Sequence, residues 1–176
     1  IRHAAQRVAG LGLAPLVPED LSQWDGQTPG VDVGAPRHAS HQRGKDVDIS
    51  LHGEDGLSEW RSYCTVERTA DGRECVAGTV ANYDARANAI WFGDLFATGR
   101  VTMSFLDAEL IVPTIPGAEA AEAEGELAAD VLPLFSDGVH LQHWPNHDNH
   151  IHVRVSEADG ATGLVLDLEP EAFEPP

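Results

Sequence analysis

Two short segments about a hundred residues apart, Asp46-Val47-Asp48-Ile49-Ser50-Leu51 and His150-Ile151-His152-Val153-Arg154-Val155, alternate polar and apolar residues without a break. A period of two is that of a strand whose successive side chains point to opposite faces. The pattern predicts two half-buried strands, with Val47, Ile49 and Leu51 on the core face of the first and Ile151, Val153 and Val155 on that of the second. Asp46 and Asp48 then share the polar face of one strand, and His150, His152 and Arg154 share that of the other.

The remaining segments read more weakly. Ala4, Ala5, Val8 and Leu11 recur at helical spacing ahead of Gly10 and Gly12, which predicts a short first helix. Residues 13–37, with Pro15, Pro18, Pro29 and Pro36, read as loop. A second helix is expected after Asp84, through Ala87, Ile90, Trp91, Leu95 and Phe96 toward Gly99, with Trp91 and Phe96 in the core. Val101–Phe105 and Glu109–Pro113 read as strands about a turn near Asp107, and the Ala/Glu-rich stretch Gly117–Asp130 as a surface helix. Gly163–Leu168 supplies one more strand before an acidic tail, 169–176. The sum is an α+β fold: a single domain over 1–176, with a central, mainly antiparallel sheet and peripheral helices.

Nine histidines are present, and six fall in two stretches: His38 and His41, then His143, His147, His150 and His152. His41 precedes a turn at Gly44, and a loop of that length can fold it back over the strand that carries Asp48. If the second strand lies alongside, an imidazole arrives beside Asp48. Two His and one Asp give zinc three protein ligands and leave a fourth position for water, the arrangement of a catalytic site. Asp46, on the same face, fits the role of orienting a ligand histidine. Trp144, next to Pro145, fits a substrate groove or a core plug equally well.

These residues resemble the superfamily that includes lysostaphin, D-Ala-D-Ala peptidases and the hedgehog signalling domain. Its pattern of H-x-x-G-x-x-x-D followed much later by H-x-H is matched by His41, Gly44, Asp48, His150 and His152. The closer resemblance is to the penicillin-insensitive murein endopeptidase family. Its signatures H-x-S-H-Q-x-G-x-D-V-D-I and H-D-x-H-x-H-V-R correspond to the motifs at 38–49 and 147–154, while Arg37, Lys45 and Asn149 depart from it. The resemblance implies Zn2+ ligation by His41, Asp48 and His152, with His150 beside the metal. His147 stands where related carboxypeptidases place a Glu general base, so it is the expected proton acceptor. His150 is then an auxiliary catalytic group, and His38, Asp46 and Arg154 are expected to touch substrate or support the ligands. The implied activity is hydrolysis of D-amino-acid-containing crosslinks in peptidoglycan peptide. The rivals are a D,D-carboxypeptidase or dipeptidase on the same scaffold, and a non-catalytic zinc domain that binds cell wall or a protein.

Composition narrows the partners. Eleven Lys and Arg against 29 Asp and Glu leave a formal charge of −18, which repels nucleic acid and anionic membrane surfaces. No stretch approaches the roughly 18 apolar residues of a membrane span. The only Lys is Lys45, and after Arg100 the only Arg is Arg154. With Arg43 they concentrate positive charge at the motifs, which suggests an anionic group on the substrate. Cys64 and Cys75 flank the turn signal Asp71-Gly72 and read as a short-loop disulfide, a bond that persists in an oxidising compartment. A periplasmic or secreted protein is expected. The start at Ile1, without Met or an apolar leader, reads as a mature or trimmed form.

Overall fold

The computed structural model describes residues 1–21, 31–32, 35–36, 41 and 45–156. His38, Arg43, the expected strand Gly163–Leu168 and the tail 169–176 lie outside the described residues. Within them the chain forms helix α1 (Arg2–Gly10), strands β1 (Pro18–Leu21), β2 (Val31–Asp32), β3 (Ala35–Pro36), β4 (Asp46–His52), β5 (Ser58–Glu59), β6 (Val66–Arg68) and β7 (Arg73–Cys75). Helix α2 (Ala85–Phe96), strand β8 (Val101–Leu106), helix α3 (Ala108–Ala123), a 3-10 turn at Leu132–Phe135, and strands β9 (Gln142–His143) and β10 (His150–Val155) follow. The main sheet runs β1-β4-β10-β8-β9, with β5 pairing the end of β4. Its pairs are antiparallel except β8 with β9, so this is an α+β domain with a mainly antiparallel sheet.

The two alternating segments are neighbours. β10 pairs β4 with His150 opposite Ser50, His152 opposite Asp48 and Arg154 opposite Asp46. Val47, Ile49, Leu51, Ile151 and Val153 join one core with Ile90, Trp91, Phe92, Leu95 and Phe96 of α2. α2 starts where expected, because the Asp84 carboxylate accepts from the Ala87 amide at 2.8 Å and so satisfies a helix-end donor. Buried Asn88 ties that helix to β4, accepting from the His52 amide at 2.9 Å and donating to the His52 carbonyl at 2.8 Å.

Three sequence expectations need correction. Residues 13–37 were expected as loop, but strand β1 lies within them. Pro18 is tolerated there because β1 is an edge strand, opposite Ile49 of β4. Glu109–Pro113 is not a strand. It lies in α3, whose start is capped by Asp107 accepting from the Glu109 amide at 2.9 Å. Leu110, Thr114, Ala118 and Ala121 are buried at helical spacing, and this packing outweighs the amides that Pro113 and Pro116 lack. The Ala/Glu-rich stretch accordingly continues α3 and ends at Ala123 rather than forming a separate surface helix to Asp130. Gly117 permits the close crossing of the two helices, since a Cβ there would lie 2.7 Å from the Ala85 carbonyl oxygen. Among the described residues, no helix is long and apolar enough to cross a membrane.

Candidate metal centre

The polar face shared by β4 and β10 is itself buried: Asp46, Asp48, Ser50, His150 and His152 are all removed from solvent. Register places His152 directly across from Asp48, and its Nδ1 lies 2.9 Å from Asp48 Oδ1. His41 sets its Nε2 at 3.2 Å from the same oxygen and 3.1 Å from His152 Nδ1. The three donor atoms form a triangle on fully or nearly fully buried side chains.

The triangle fits a cation better than it fits protons. Donors about 2.0–2.1 Å from a tetrahedral metal lie about 3.3–3.4 Å from one another, close to the separations here. As a hydrogen-bonded set the arrangement is over-subscribed. Burial opposes ionisation of Asp48, yet hydrogen bonds from His152 and His41 and the charges of His150 and His41 hold its carboxyl well below the usual carboxylate range. Asp48 is therefore an acceptor only, and the two ring nitrogens offer at most one proton each for three contacts. At least one side of the triangle lacks a proton in every protonation state. A cation at its centre engages all three lone pairs, so His41, Asp48 and His152 could hold a metal ion. Among the described residues no other group of His, Cys, Asp and Glu is so disposed.

Asp46 meets His152 from the side opposite the triangle. Its Oδ1 lies 3.0 Å from His152 Nε2, an arrangement that orients the ring and leaves Nδ1 toward the triangle. Burial lowers the pKa of His152, but Asp46 and Asp48 at its two nitrogens outweigh that and raise it. The same pair of carboxylates would attract a divalent cation. Arg154 Nε donates to Asp46 Oδ1 at 2.7 Å, so its guanidinium serves this network.

His147 and His150 flank the triangle. The His147 ring is 4.7 Å from that of His150 and 6.0 Å from that of His152. Its Nδ1 lies 3.1 Å from the Trp144 carbonyl oxygen and 2.8 Å from that of Pro145. Carbonyls only accept, so Nδ1 carries the proton and the Nε2 lone pair is left on the opposite edge of the ring. Burial pushes the His147 pKa down, favouring this neutral form. His150 Nδ1 meets Asn149 Oδ1 at 2.7 Å, and its Nε2 lies 3.7 Å from Asp48 Oδ2.

Two exposed tryptophans border this cluster. Trp60, 46% exposed, stacks on His150 with centroids 4.5 Å apart and planes 16° apart. Trp144, 56% exposed, leans on Phe105 at 5.3 Å, and Phe105 stacks on His152 at 5.6 Å. Trp144 is thus no core plug. Trp60 and Phe105 carried no sequence signal, because neither belongs to a motif: Phe105 reaches the site by pairing opposite His152, and Trp60 follows directly on β5, which pairs the end of β4. Cys64 and Cys75 are joined as a disulfide. No family model matches the chain, and no curated protein matches it.

Proposed function

We propose that the chain is a zinc-dependent peptidase of the murein endopeptidase type, hydrolysing D-amino-acid-containing peptide crosslinks of peptidoglycan. The reading is supported above all by one observation: a buried His41/Asp48/His152 triangle has beside it a histidine whose tautomer is fixed with Nε2 unprotonated. A donor set of two imidazoles and one carboxylate suits zinc. When bound, zinc supplies a Lewis acid that polarises the scissile carbonyl and lowers the pKa of water to about 7. His41, Asp48 and His152 hold it, and Asp46 keeps the His152 ring turned toward it. His147 accepts the proton of the attacking water at Nε2 and delivers it to the nitrogen of the leaving amine. Trp60 and Trp144 wall the approach and present aromatic faces to the peptide chain. The disulfide fits work outside the reducing cytosol, where the wall polymer lies.

The test is hydrolysis of purified crosslinked muropeptide dimers by the zinc-loaded chain, before and after a chelator and after zinc is restored. Release of monomers that stops with the chelator and resumes with zinc is expected. Full zinc occupancy without any release would refute the reading.

A further inference from the structure

We propose that Arg73 is a positioning residue for His147, gripping the chain on both sides of that histidine from the tip of the disulfide-closed hairpin β6–β7. The inference rests on the reading of His147 as proton acceptor.

His147 belongs to the connection between β9 and β10, so no ladder of the sheet fixes it. Its neighbour Asn146 has φ +68°, a left-handed conformation that a non-glycine residue adopts at a cost. Arg73 supplies the compensating contacts. The Asn146 amide donates to the Arg73 carbonyl at 2.7 Å, and the Arg73 amide donates to Asn146 Oδ1 at 3.0 Å. On the other side of His147, Arg73 Nη2 donates to Asp148 Oδ2 at 3.0 Å, and Asp148 is 1% exposed. The same Nη2 lies 3.2 Å from Ser62 Oγ, which also donates to Asp148. One residue thus holds position 146 through its backbone and position 148 through its guanidinium.

The hairpin is shaped for this approach. Gly72 has φ +147°, and a Cβ there would lie 2.6 Å from the Asn146 side-chain amide, so no other residue brings the tip this close without displacement. At the base, Cys64–Cys75 joins the hairpin to the chain that precedes it. The Cys75 amide donates to Asp107 Oδ2 at 3.0 Å, and the Asp107 amide donates to the His147 carbonyl at 3.0 Å. The backbone of His147 is therefore tied to the hairpin from a second direction. Its ring is aimed by the carbonyls of Trp144 and Pro145, in the segment that Arg73 anchors at Asn146. None of these contacts involves His41, Asp48 or His152, so loosening the grip should move His147 and spare the metal.

The experiment compares wild type with Arg73→Ala, Arg73→Lys and Asn146→Gly. The last permits the left-handed backbone and removes the side-chain acceptor. Three readouts are taken: zinc stoichiometry, the His147 Nδ1–H signal in a proton–nitrogen correlation spectrum, and kcat and KM on a crosslinked muropeptide dimer. Arg73→Ala should keep one zinc, lose the protected Nδ1–H signal, and lose about 10- to 100-fold in kcat with KM unchanged, the scale of a misplacement near 1 Å. Arg73→Lys should recover part of both losses, and Asn146→Gly should show a smaller drop. Wild-type kcat and an intact Nδ1–H signal in Arg73→Ala would overturn the proposal. So would loss of zinc or of cooperative folding in Arg73→Ala together with unaltered kcat in Asn146→Gly, because the residue would then be structural only. If wild type cleaves nothing, the peptidase reading fails, and the Nδ1–H signal alone still decides whether Arg73 positions His147.

Discussion

The candidate metal ligands and the proposed base are neighbours but are built in different ways. Asp48 and His152 are opposed members of two paired strands, and backbone register alone brings them together. His147 lies in an irregular connection and owes its place to side-chain contacts with a hairpin more than seventy residues earlier in the chain. A site of this kind separates two requirements: the Asp48–His152 pair is set by strand register, whereas the orientation of the proposed base depends on a few polar contacts. The two halves should therefore fail independently.

The largest expected effect comes from the sheet side. His152→Ala removes a ligand and should abolish stoichiometric metal, with affinity falling by more than about 100-fold, beyond the range typical of supporting residues. Elemental analysis of the purified variant checks this, and a full equivalent of tightly bound metal would show that the triangle is not the site. On the loop side, His147→Ala should retain metal while turnover falls about 10²–10⁴-fold. If metal and turnover disappear together in that variant, the two halves are not separable.

Next in size is the disulfide. Its partners are 11 residues apart, and replacing both Cys64 and Cys75 by Ala should lower unfolding stability by about 3 kcal/mol in the chain-entropy description. Denaturant titration reads the loss, and metal affinity measured on the folded variant should match wild type. A large drop in that affinity would mean that the hairpin supports the ligands as well as the loop. Asp46→Asn tests the support of His152 within the sheet and should weaken metal about 10- to 100-fold. Unchanged affinity in a chelator competition would reduce Asp46 to a partner of Arg154.

The smallest effect concerns His52, a buried histidine with no part in the metal centre. It lies on the same strand as Asp48, donates from Nε2 to the Ala14 carbonyl at 2.8 Å and packs against Trp91. Burial holds its folded pKa below the ordinary value of 6.5, with the Ala14 hydrogen bond and Asp84 opposing the shift. The unfolded chain therefore takes up this proton first. Stability from His52 is fully present above pH 6.5 and is lost as pH falls from there to the lower folded value. A His52→Gln variant should show a shallower fall in unfolding free energy across that window. An identical pH slope in the two proteins would remove His52 from the linkage.

Several parts of this molecule were legible without coordinates, and the reason is local periodicity. The alternation in 46–51 and 150–155 specified both strands and their faces, and α2 was marked by its cap at Asp84. α3 was misread because its apolar residues 110–112 run together ahead of Pro113, which resembles a strand ending at a proline. Only packing against α2 and the Asp107 cap reveal the helix. The hydroxyl and carboxylate network around Asp148 was equally hidden, although Asp148 lies inside the second motif, because its partners Ser62 and Arg73 come from a distant segment without a pattern of its own.

By itself, the sequence determined which residues lie on which face of the two strands, and hence which side chains were candidate ligands. Those properties follow from a backbone geometry that repeats every two residues and needs no knowledge of the partner. Tertiary structure decided the rest: that β10 lies beside β4 in the register that sets His152 against Asp48, that Asp46 and Arg154 bind one another, and that Arg73 grips the chain around His147. Each of these is a contact between residues far apart in the chain. Its geometry depends on the packing of the whole domain, which no local pattern encodes.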